Sequence, residues 1–246
     1  MRFQDSWTVA MKDLSVFRRK PYILYSLVAL PVILSMLLPG SLLLSLDKVS
    51  KTSLEQVLNR VLEPEITIFI MLAALLPSVI GSYSFIGEKV EKSLEPLLAT
   101  PATDSELLLG KCLAAFVPSL GATYAGVAIF MLFSDALTYG TLHRLLFPDA
   151  NSAVIVFLAI PLSCILSVEF SVIVSSRVND IRAAQQLGSL IVIPLVGIFL
   201  LSQTGVLTFD VYHLLLVSGI LLLADVILSF VSRSTFQREE ILTKWK

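Results

Sequence analysis

Charge is the scarcest component of this 246-residue chain. Asp, Glu, Lys and Arg together make up 15% of it, while 56% is hydrophobic; a soluble domain carries about 25% charged residues. A soluble reading would have to hide too much apolar surface for this length, so the composition excludes a soluble enzyme and a disordered chain. Basic excess is missing too: the net charge is −1, which leaves no electrostatic footprint for nucleic acid. With two histidines the chain builds no His-based zinc motif. Its two cysteines, Cys112 and Cys164, lie in or at the edge of apolar runs and read as inert buried thiols, not as a disulfide framework. A secretory signal pattern is also not expected. The first 20 residues are polar and basic, and the first apolar run is too long for a signal core.

What is present in abundance is uninterrupted apolar sequence. Residues 21–46, 66–87, 112–134, 150–168 and 183–209 contain no Asp, Glu, Lys or Arg; a sixth run, 211–232, carries one acid, Asp225. A bilayer core needs roughly 20 apolar residues per helix, so each run is long enough to span. Strands of a membrane barrel alternate over about 10 residues, and these runs do not. The expectation is an all-α integral membrane protein, one transmembrane domain over 1–246. Its six spans lie at about 22–46, 66–86, 108–134, 152–175, 183–203 and 213–232, within an overall membrane region of 22–232, followed by a tail at 233–246.

Six spans put both termini on one side, and Lys and Arg choose the side. Segments 1–21, 87–111, 175–182 and 233–246 hold fourteen of them, whereas 47–65, 135–150 and 203–212 hold four. By the positive-inside rule both termini are cytoplasmic, in the plasma membrane of the cell. Six prolines fall within the expected spans: Pro31, Pro39, Pro77, Pro118, Pro161 and Pro194. They read as kinks of packed helices or as hinges. No internal repeat between 1–134 and 135–246 stands out, which weighs against a transporter built from inverted repeats.

Before the first span, residues 5–20 read DSWTVAMKDLSVFRRK. Asp5 or Ser6 suits a helix cap. Trp7, Ala10, Met11, Leu14 and Phe17 recur at helical spacing on one face. This predicts an amphipathic helix over 1–21 lying in the membrane interface, either as an anchor or as an element that also meets a cytoplasmic partner.

The loop between spans two and three, GEKVEKSLEPLLATPATDSELLLGK at 87–111, is the most informative stretch. Pro96 suits the first turn of a short helix and Pro101 a stop. Thr103 and Glu106 have capping-box spacing, so a new helix starts there. A solvated charged hairpin and a docking surface explain this loop equally well on its residues alone.

The string EKVEKSLEPLLATP from Glu88, followed by ELLLGK from Glu106, closely resembles the coupling-loop signature of type-2 ATP-binding-cassette (ABC) exporter permeases. The segment from Trp7 through Lys12, Asp13 and Leu14 to Arg18 is similar to that family's connecting helix. SRVNDIRAAQQ from Ser176, followed by Pro194, is similar to its fourth-to-fifth-span loop. The resemblance covers the whole chain and is most specific at 88–111. It implies a dimer of permeases, here a homodimer with twelve spans, joined by two cytoplasmic ABC ATPase subunits that hold ATP and Mg. The coupling loop, 87–107, would sit in a groove of the ATPase, with Glu88, Glu91, Lys92 and Glu95 as docking charges and Leu97 and Leu98 as buried contacts. The large external domain that some branches carry between spans one and two has no counterpart in 47–65.

The chain itself lacks P-loop chemistry. Its one Gly-Lys pair is Gly110-Lys111, with Ser105 where the first Gly of the motif belongs and Cys112 after the Lys. No cofactor is therefore expected in this chain. Two acids, Glu169 and Asp225, lie well inside spans; such residues are costly and usually face a bundle interior or cavity. They read either as structural groups or as the lining of a substrate route. Ser163, Ser167, Ser171 and Ser175 form an i, i+4 stripe opposite Glu169, suited to close helix packing. Ser218, Asp225 and Ser229 share one face of span six. An ATP-independent transporter or channel, and a membrane scaffold whose loop docks a non-ATPase partner, remain as alternatives. An intramembrane enzyme finds no His/Asp or Ser/Lys constellation at membrane depth.

Overall fold

The computed structural model describes residues 3–19, 21–40, 54–90, 103–203 and 210–235. Among the described residues every regular element is a helix. They are α1 (Phe3–Arg19), α2 (Pro21–Leu37), α3 (Leu54–Val90), α4 (Asp104–Leu142), α5 (Ala150–Val154), a π-helical turn (Ile155–Ala159), α6 (Ile160–Arg177), α7 (Ile181–Ser189), α8 (Val192–Gln203) and α9 (Val211–Thr235). Among the described residues, five stretches are long and apolar enough to cross a membrane: Pro64–Gly87, Asp104–Gly140, Ala150–Arg177, Ile181–Leu201 and Val211–Thr235. The described apolar part of α2, Tyr25–Leu37, is shorter.

The helix ends follow local chemistry. The Thr103 hydroxyl accepts from the Glu106 backbone N–H at 3.4 Å, while the Glu106 carboxylate accepts from the Thr103 N–H at 2.9 Å. This is the expected capping box, satisfying two otherwise orphaned donors. Asp149 and Ser152 form a second box at the start of α5. Asp180 caps α7 by accepting from the Ala183 N–H at 2.9 Å. At the far end of α4, His143 takes a left-handed conformation (φ 52°) and its N–H donates to the Tyr139 carbonyl.

Several boundaries differ from the expectation. The helix of span two begins at Leu54, inside the segment expected to be a loop. α2 gives way at Leu38–Pro39 to a turn, because the residue before a proline is pushed out of the helical region. Pro39 thus interrupts the helix, and Gly40 is helical again. Span five is two pieces, α7 and α8. Pro194 has no N–H to offer the Leu190 carbonyl, which instead accepts from Ile193 at 3.0 Å. Span four runs unbroken from Ala150 to Arg177 but carries the five-residue π turn.

α3 is the most buried element and packs against α6, α4, α7 and α8. Phe69 on α3, Phe130 on α4 and Phe147 in the following loop stack in tilted pairs 5.5 and 5.9 Å apart, inside a cluster with Ile66, Ile155 and Ile160. The serine stripe of α6 is buried against this core. At Gly81 an added Cβ would come within 2.9 Å of Ser171 Cβ, the close small-residue approach expected of membrane helices. Outward, the bundle is covered by large apolar side chains, with Phe157 75% and Leu132 72% exposed. A surface this apolar suits hydrocarbon and not water.

Candidate functional site

The expected amphipathic helix is present as α1. Ser6, Ala10, Asp13 and Phe17 are buried against the bundle, whereas Trp7 and Met11 are about half exposed. The reason lies in α4. The ammonium of Lys111, 1% exposed, donates to the Ser84 carbonyl at 2.6 Å and lies 3.6 Å from Asp13 Oδ2. The Ser84 hydroxyl donates to the same Asp13 oxygen at 2.6 Å. The ring of Phe85 lies 5.5 Å from the ammonium, close enough for a cation–π contact. Next to it in sequence, at Gly110, α1 and α4 approach so closely that an added Cβ would sit 2.7 Å from the Ser6 carbonyl oxygen and from Val9 Cβ.

This charged node was not legible as such in the sequence. Lys111 stood out as the end of the ELLLGK string and as the lysine of a failed phosphate motif, and Asp13 only as part of a similarity. A signal was there: Asp13 falls three residues after Ala10 and four before Phe17, on the inward stripe of α1, where an acid has to find a buried cation. The node joins three elements at one place, namely α1, the end of α3 and the start of α4. It thus brackets the connection between α3 and α4. Of the residues expected to dock a partner, Glu88 falls on the last turn of α3, with its side chain outside the described residues. Glu91, Lys92, Glu95, Leu97 and Leu98 also lie outside them.

The second feature is a cavity of about 300 Å³ between the start of α4, the middle of α6 and the end of α9. Glu169 lines it, as do Ser229, Ser232 and Arg233. Glu169 is half-buried, and its Oε2 is enclosed with no hydrogen-bond donor among the described residues. Arg233 is the cation whose field reaches it. Asp225, expected at similar depth, is buried on α9, and neither carboxylate oxygen has a partner among the described residues. It is not part of the cavity lining, although the two acids lie within electrostatic reach of each other. Ser218 shares its buried face, as the spacing predicted. Among the described residues no cluster of His, Cys, Asp and Glu could hold a metal ion.

A bundle of long apolar helices, an amphipathic helix locked to its base, and a charged connection between spans two and three together define a multi-pass membrane transport protein. The sequence model described as ABC-2 family transporter protein matches residues 7–225, and the chain belongs to that family. No curated protein matches the chain.

Proposed function

We propose that this chain is the transmembrane subunit of an ATP-driven exporter, working with a separate cytoplasmic ATPase that docks on the loop at 87–107. The reading completes the arrangement as six spans with both termini in the cytoplasm of the plasma membrane, paired with a second copy of the chain. Glu88, Glu91, Lys92 and Glu95 set orientation on the ATPase, and Leu97 and Leu98 supply the apolar anchor; charged rims generally give specificity and apolar anchors affinity. ATP and Mg reside in the partner.

The observation that carries this reading is the buried node of Asp13, Ser84 and Lys111. It ties both flanks of the connection, and the interfacial helix as well, into one body. A push on the loop is then delivered to α1, α3 and α4 together. A loop that merely reconnected two helices would not need such a base.

The test is purification of the tagged full chain from its native membrane. A Walker-motif ATPase should accompany it, with ATP hydrolysis that depends on the chain. The double reversal Lys92→Glu/Glu95→Lys should leave hydrolysis running while transport stops. A complex that still transports normally after the reversal refutes the coupling assignment.

A further inference from the structure

The cavity between α4, α6 and α9 has a lining that selects a chemical class. Its walls are mainly Leu108, Leu109, Leu113, Phe116, Ile165 and Val168. The volume, about 300 Å³, is at the lower end of the roughly 300–1,000 Å³ of small-molecule sites. Glu169 is part of this lining, half-buried, with no described residue donating to its Oε2. Glu169 is eight residues before Arg177, the end of α6, or about 12 Å along the helix. Arg233, by contrast, is exposed and belongs to the last turn of α9.

We propose that this cavity binds an amphipathic organic cation, with its apolar body against the leucine, isoleucine and phenylalanine walls and a protonated amine donating to Glu169. A buried carboxylate without a partner is costly, and a charged hydrogen bond relieves that cost. An ammonium carries three donors. An uncharged chain would fill the walls and leave the acid unsatisfied. An anion would have to pass its own charge alongside the carboxylate. The site therefore discriminates by charge at Glu169 and tolerates many apolar shapes, because leucine, isoleucine, valine and phenylalanine side chains make up most of its walls.

The proposal rests on the transport reading only in treating the ligand as cargo. Its test uses the full chain in nanodiscs, without the ATPase, titrated with monodansylcadaverine. This probe joins an apolar fluorophore to a primary amine. Its N-acetyl derivative, which has lost the charge, and empty nanodiscs serve as references. The amine should bind above the nanodisc background, and at least about tenfold more tightly than the acetylated form, the equivalent of one charge-assisted hydrogen bond. Glu169→Gln should erase that difference, and Leu113→Trp, which fills the cavity, should abolish binding of both forms. Equal binding of the two probes to the native chain overturns the proposal, and so does unchanged amine binding in Glu169→Gln. If Glu169→Gln fails to fold, the probe comparison and Leu113→Trp still decide. Amine efflux from vesicles holding the complete complex is measured separately. Glu169-dependent binding without ATP-driven efflux supports the site and counts against the exporter reading.

Discussion

Lys111 and Asp13, 98 positions apart in the chain, meet at 3.6 Å where neither is exposed to solvent. A lone buried charge is far worse than none, whereas a pair replaced whole by apolar groups is often close to neutral. Lys111→Met alone should therefore destabilise the chain by about 3–5 kcal/mol, because it strands Asp13. Asp13→Leu should act similarly, and the double variant should recover most of the loss. Thermal unfolding of the four proteins in detergent gives the coupling directly. Additive losses would mean that the two residues do not support each other.

The approach of α1 to α4 depends on the missing side chain at Gly110. Gly110→Val places carbon atoms where the Ser6 carbonyl and Val9 already are. Overpacking of this kind typically costs about 1–3 kcal/mol. Here it should act by lifting α1 off the bundle, so limited proteolysis should cut within residues 3–19 faster than in the native chain. Unchanged cleavage would contradict the contact.

Gly81 makes the same argument deeper in the bundle. Gly81→Leu drives α3 and α6 apart at Ser171. It should lower the unfolding temperature more than Gly121→Leu on α4, where an added Cβ meets nothing within 4 Å. Equal effects would show that the α3–α6 interface is looser than the serine stripe suggests.

Asp225 offers stability and function pulling in opposite directions. Both of its oxygens are buried without a partner among the described residues, a situation that costs about 1–3 kcal/mol for each unsatisfied group. Asp225→Leu should thus raise thermal stability, while transport by the assembled complex falls. A drop in stability would show that a partner holds this acid. Full transport by Asp225→Asn at every pH tested would remove Asp225 from the translocation route.

Much of the architecture was legible because hydrocarbon imposes a simple code. Charge-free runs located the long helices, and Thr103 with Glu106 marked the start of α4 to the residue. The serine stripe of α6 and the face holding Ser218 and Asp225 also followed from 3.6-residue spacing. What was not legible depended on contacts between distant segments. Which face of α1 meets the bundle was not read from the sequence, because it is set by the distant pairing of Asp13 with Lys111. The interruption of span five needed the Leu190 carbonyl to be traced, and periodicity alone does not see a lost donor. Glu169 was singled out by its charge, but its cavity arises from three helices whose packing no single segment encodes. The docking residues from Glu91 to Leu98 remain a reading of the sequence.

α4 has one more consequence. Its 39 residues make a rod about 58 Å long at 1.5 Å per residue, nearly twice the roughly 30 Å of hydrocarbon. The rod overshoots the oily layer and is clamped near both tips. Lys111 grips its foot, and Asp135 near its head accepts from the Leu146 and Phe147 N–H groups of the next loop. Only Pro118 interrupts its ladder. A twist applied at one face of the membrane therefore reaches the opposite face through one covalent shaft, without relay through any change of helix partner.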